Sequence, residues 1–70
     1  MEVTVHEVRG QPGDYIVRLL QFRGGKETRR TRWLVTEADG GRREAEKLAK
    51  SVIGFVASGL PVEALFGEDG

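Results

Sequence analysis

Seventy residues without a cysteine make one small domain with neither a disulfide framework nor a thiolate zinc site. Hydrophobic residues at 39% and charged residues at 31% suit a globular chain, and the longest apolar runs fall far short of the roughly 20 residues that cross a bilayer. The net charge of zero hides an uneven spread: Arg18, Arg23, Lys26, Arg29, Arg30 and Arg32 are opposed locally by Glu27 alone, whereas Glu63, Glu68 and Asp69 close the chain.

A chain this short buries only about 60% of the surface that its unfolded form exposes. Extra stability would have to come from good packing or from a partner chain, so a homodimer is one expectation. Arginine outnumbers lysine 8 to 3, a bias towards planar, bidentate recognition of phosphate or carboxylate. The amino-terminal Met1-Glu2-Val3-Thr4 lacks the basic-then-apolar layout of a signal peptide, so a cytoplasmic location with no membrane contact is expected.

Residues 2–9 alternate well enough for a first strand, with a slip of apolar parity between Val5 and Val8 that points to a bulge near His6. Gly10-Gln11-Pro12-Gly13-Asp14 reads as a turn. Residues 15–23, β-branched and aromatic and apolar on both faces, read as a central strand. Gly24-Gly25 suits a two-residue hairpin, and a third strand follows over 26–35.

Pairing Arg23 with Lys26 places Phe22 opposite Glu27 and Ile16 opposite Trp33. In that register Ile16, Leu20, Phe22, Trp33 and Val35 form the core face. Gln21, Arg23, Lys26, Thr28, Arg30 and Arg32 lie on the other, with Tyr15, Val17, Leu19 and Leu34 at its far end. A longer hairpin loop would shift this sorting.

Thr36-Glu37-Ala38-Asp39 resembles a capping box, although Gly40-Gly41 disfavours a helix starting there. A helix is expected over 42–57, with Ala45, Leu48, Ala49, Val52, Phe55 and Val56 on one buried face. Gly59 ends it, and residues 61–66 suggest a short helical turn in which Val62, Leu65 and Phe66 close the edge of the core. The fold class is therefore α+β: a three-stranded antiparallel β-meander packed on one C-terminal helix, in the order βββα.

No catalytic or metal-binding pattern emerges. His6 is the only histidine, Ser51 and Ser58 lie on or at the end of the helix, and no calcium-loop spacing or phosphate loop occurs. A non-enzymatic chain without a cofactor is expected. Gly40-Gly41-Arg42-Arg43 offers free amides and two guanidiniums for an anion, but Asp39, Glu44 and Glu46 offset that charge, and a solvated turn is the preferred reading.

The basic hairpin is the better candidate. Phosphate contacts and base-edge readers are both present on its face, although charges there also serve to block sheet-to-sheet aggregation. Tyr15, Val17 and Leu19 sit on the face away from the helix, where an apolar strip reads as a protein contact or a dimer seam.

Val8-Arg9, Pro12 and Gly13, the aromatic Tyr15, the basic hairpin, Trp33-Leu34-x-Thr36 and Glu44-Ala45 together resemble the plant ethylene-response-factor type DNA-binding domain. Gly13, Tyr15, Val17, Arg18, Gly25, Lys26 and Arg29 are similar to the pattern of the phage-integrase amino-terminal, arm-binding domain. The resemblance covers residues 8 to 49 and implies a three-stranded sheet, backed by one helix, that reads the major groove of duplex DNA. It implies DNA contacts at Arg9, Arg30 and Arg32 and a phosphate contact at Lys26. Arg18 matches only the integrase pattern and falls on the expected core face, so it is left out.

The expected site is thus Arg9, Arg23, Lys26, Arg30 and Arg32, facing double-stranded DNA. The rival is a small regulator or inhibitor that docks on itself or on another protein through Tyr15, Val17 and Leu19.

Overall fold

The structure is a computed structural model that describes residues 1–65 and 67–69, with 62, 63, 68 and 69 described by backbone alone. Three strands run antiparallel in a meander: β1 (Glu2–Glu7), β2 (Tyr15–Arg23) and β3 (Lys26–Val35). One helix, α1 (Gly41–Ala57), packs on a single face of the sheet, and a two-residue β4 (Glu68–Asp69) pairs with the outer edge of β3. The expected βββα arrangement is present, with β4 as an addition that the acidic, strand-disfavouring Glu68-Asp69 did not suggest.

The hairpin between β2 and β3 closes as expected on Gly24 and Gly25, whose φ values of 59° and 81° are both positive. Such a turn matches the right-handed twist of the flanking strands and strongly favours glycine. Arg23 pairs with Lys26 and Phe22 with Glu27, but the register then shifts between Gln21 and Phe22. Thr28 is the extra residue, and its Oγ1 donates to the Gln21 carbonyl at 3.3 Å. Beyond this bulge Trp33 stands opposite Val17, not Ile16, and Leu34 stands opposite Ile16.

One inserted residue exchanges the two faces of β2 relative to β3. Val17 and Leu19, both 0% exposed, lie in the core with Trp33, Val35, Ala45, Ala49 and Val52, and Tyr15 packs against them. The expected docking strip of Tyr15, Val17 and Leu19 is therefore the inner face of the sheet, covered by α1. Ile16, Leu20 and Phe22 take the outer face instead, and Arg18 joins them there. No shift occurs near His6, because β1 pairs with β2 without interruption from Glu2↔Leu20 to Glu7↔Tyr15.

α1 meets the sheet as its periodicity requires. Ala45, Ala49 and Val52 are buried, and Leu48 and Val56 pack against the same cluster. The helix ends in a Schellman motif: the Leu60 amide donates to Phe55 O at 2.9 Å, the Gly59 amide donates to Val56 O at 3.1 Å, and Gly59 has a φ of 73°. Inside the helix Gly54 has ordinary geometry, and a Cβ built on it meets nothing within 4 Å. Gly54→Ala should therefore stabilise the fold by roughly 0.5–1 kcal/mol, raising the melting temperature in calorimetry by several degrees.

The expected capping box is present, but it caps a 3₁₀ turn over Glu37–Asp39 before α1 begins. Asp39 Oδ2 accepts from the Thr36 amide at 3.1 Å and from its hydroxyl at 2.9 Å. These bonds, the backbone one foremost, hold the Asp39 carboxyl below its usual value. A carboxyl lowered in the folded state adds stability above its unfolded pKa, and that stability is lost as pH falls through the folded value. Thr36→Ala removes the hydroxyl bond, so an NMR titration of Asp39 should move part of the way back to the ordinary aspartate range.

After α1 the chain doubles back through a 3₁₀ turn at Val62–Leu65. Trp33 Nε1 donates to Leu65 O at 2.9 Å, and the backbone at Gly67 lies directly against Trp33 and Thr31. Leu65 closes one edge of the core, as expected. The side chain of Val62 and all of Phe66 lie outside the described residues.

Candidate nucleic-acid interface

The face of the sheet away from α1 is open and is built of cross-strand rows. His6, Ile16 and Leu34 form the first row; Thr4, Arg18 and Arg32 the second; Glu2, Leu20 and Arg30 the third. Phe22 and Glu27 follow, past the bulge. Strands sit about 4.8 Å apart and alternate residues about 7 Å apart, so Arg18, Arg30 and Arg32 form a compact cationic triangle. Apolar side chains frame it: Leu34 is 60% and Phe22 is 44% exposed.

Arg18 and Arg32 stand directly opposite each other, a pairing of like charges that opposes sheet formation. Arg18 is half-buried, and its Nε is shielded from solvent without a hydrogen-bond partner. A guanidinium donor left in that state costs on the order of 1 kcal/mol or more. Arg30 donates through Nη2 to Glu27 Oε1 at 2.9 Å, with 46% and 37% of the two side chains exposed. A surface pair of that kind is worth at most about 1 kcal/mol, so it yields readily to a competing anion. Glu2 flanks the cluster on β1, and Glu68 holds the register position beyond Arg32 on β4.

The expected contacts divide into three groups. Arg30 and Arg32 do lie together on the open face. Arg23 and Lys26 are exposed at the hairpin tip, about 17 Å along the strands from the Arg18–Arg32 row. Arg9 is exposed in the turn at the opposite end of β2, a strand whose nine residues hold it roughly 30 Å from that tip. One compact patch does not contain all five. Arg18, omitted from the expected contacts, is central to the cluster; the bulge that moves it to this face has no signature in the composition of the hairpin.

Other chemistry-bearing residues do not converge on this face. His6 is exposed beside Ile16 at the first row, and Ser51 Oγ donates to its own helix at Lys47 O, 3.2 Å away. At the start of α1, Arg42 Nε is engaged by Glu46 Oε1 at 3.0 Å, as the solvated-turn reading expects. Among the described residues no group of three or more His, Asp or Glu side chains could hold a metal ion, and no helix is long and apolar enough to cross a membrane. No protein-family model matches the chain, and the curated proteins and solved structures contain no match.

Proposed function

We propose that this protein is a non-catalytic binding module that holds duplex DNA on the open face of its sheet. The observation that carries the reading is the Arg18–Arg32 pair with Arg30 beside it. Three guanidiniums are gathered where their mutual repulsion disfavours them, and one has an unpartnered, shielded N–H. A phosphate oxygen screens the like charges at once, and by drawing the half-buried Arg18 side chain outwards it would also give the shielded Nε an acceptor. Arg23 and Lys26, one pair beyond Phe22 and Glu27, alternate to the helix side, so they reach the duplex backbone only around the hairpin tip and carry no base information.

The similarity of residues 8 to 49 to the plant and integrase domains supports the same partner, since those domains also present a three-stranded sheet backed by one helix. The outer face carries few aromatic rings, which favours a duplex held by its phosphates over a single strand stacked base by base. Val17 and Leu19 are buried and Tyr15 packs half-buried beside them on the helix side, so the open face does not carry the apolar strip of the protein-docking alternative.

The test is a titration of labelled random-sequence duplex DNA at several salt concentrations. Neutralisation of three to five phosphates corresponds to a slope of log affinity against log salt of roughly −3 to −4.5. A flat salt response, or no binding at low salt, would remove the proposal.

A further inference from the structure

β1 lies at one edge of the sheet, paired with β2 on one side only. Natural edge strands block further pairing by shortness, charged side chains, proline or bulges, and on β1 the charges, Glu2 and Glu7, stand only at the two ends. Its middle, Val3-Thr4-Val5-His6, has no lysine, proline or bulge and keeps an unbroken register with β2.

The backbone phase of this edge is readable. The Val8 amide donates to Asp14 O at 2.8 Å, and these two residues continue the β1–β2 register. Bonded and non-bonded pairs alternate along an antiparallel ladder. His6, Thr4 and Glu2 therefore direct their N–H and C=O groups at β2, while Glu7, Val5 and Val3 direct theirs outwards. Val3 and Val5 also belong to the helix side of the sheet, where they pack on the core yet stay half-exposed. Two of the three residues with open backbone groups, Val3 and Val5, thus also carry incompletely covered apolar side chains.

We infer that a second copy of this chain pairs antiparallel with β1 across a two-fold axis at Thr4. This register sets Val3 opposite the partner's Val5 twice, joining outward-pointing groups in four backbone hydrogen bonds. It also sets Glu2 opposite the partner's His6 twice, a carboxylate against an imidazole that can donate to it. Thr4 meets the partner's Thr4, a favourable cross-strand pair.

Other registers fit worse. A shift of one residue brings Val3 to the partner's His6 and turns the two helices to opposite sides of the sheet. Centring on Val5 sets Glu7 against the partner's Val3, although the Glu7 carboxylate already accepts from the Gly13 amide and the Tyr15 hydroxyl. Centring on Val3 leaves His6 beyond the paired stretch.

The interface is isologous, as closed dimers require. Both helices fall on one side and both arginine clusters on the other, in a continuous row running Arg32, Arg18, Thr4 and then the same residues of the second copy in reverse. The two Arg18 positions are three strand spacings apart, about 14 Å. The dimer stands independently of any nucleic acid, and its test involves none.

Sedimentation equilibrium of the full chain, from micromolar to millimolar concentration, should show the mass rising from 7.7 kDa to twice that value. Amide exchange followed by NMR should slow at Val3 and Val5 as concentration rises, while Thr4 and His6 remain protected throughout. Thr4→Glu places two carboxylates face to face across the axis, yet sets each beside Arg18 of its own sheet. It should weaken association roughly tenfold or more with the circular dichroism spectrum retained. Val5→Pro removes an N–H that the single sheet does not use and should act in the same direction. A chain that stays at 7.7 kDa at millimolar concentration, with Val3 and Val5 amides exchanging freely, overturns the inference. So does a dimer indifferent to both substitutions.

Discussion

The double substitution Arg30→Glu with Arg32→Glu should lower duplex DNA affinity by at least about two orders of magnitude and leave the fold intact. Each arginine withdrawn from a phosphate removes about 0.9 from the salt slope, and each glutamate put in its place adds repulsion from the DNA backbone. The structural cost is small because both side chains are exposed. Arg30 gives up its surface pair with Glu27, worth at most about 1 kcal/mol, and a glutamate at position 32 trades repulsion from Arg18 for attraction while it takes a like-charge position opposite Glu68, so the two cross-strand changes largely offset. Arg18→Gln isolates the third member of the cluster. It should weaken binding about tenfold while the melting temperature stays level or rises, since a charged donor lacking a partner has been removed. Undiminished duplex binding by the double variant would exclude the open face as the site.

The parts of the fold that were legible in the sequence are those with local punctuation. Gly24-Gly25 marks the hairpin, so the expected bounds of β2 and β3 coincide with the observed ones. The 3.6-residue spacing of Ala45, Ala49 and Val52, closed by Gly59, marks α1 to within one residue. On β3 the pattern alone sets Trp33 and Val35 in the core and Arg30 and Arg32 outside it, because that strand is apolar on one face alone. β2 is apolar on both, with Tyr15, Val17 and Leu19 set against Ile16, Leu20 and Phe22. Only the register could decide between them, and the register turned on Thr28. Threonine is an ordinary strand residue, so nothing in its identity announces a bulge. A register without the bulge hides Arg18 on the helix side and exposes Val17 and Leu19, which lie in the core, together with Tyr15, which packs on it. β4 was hidden for a different reason: its pairing is made by backbone groups, and its acidic sequence is poor in strand formers.

Leu19→Ala should destabilise the domain by about 2–5 kcal/mol, against roughly 1 kcal/mol or less for Leu20→Ala. The two leucines are adjacent and share a strand, but Leu19 is enclosed by the core while Leu20 lies half-exposed on the open face. A domain of this size has a total stability of roughly 4–10 kcal/mol, so the first substitution removes a large part of it and the second little. Urea unfolding midpoints at constant m-value measure both. A hairpin without the bulge demands the opposite order, because Leu20 would then face the helix and Leu19 the solvent. The comparison therefore bears on function as well as packing. If Leu20→Ala proved the costlier change, Arg18 would return to the helix side and the cationic triangle would shrink to Arg30 and Arg32. The like-charge pair that motivates an anionic partner would then no longer exist.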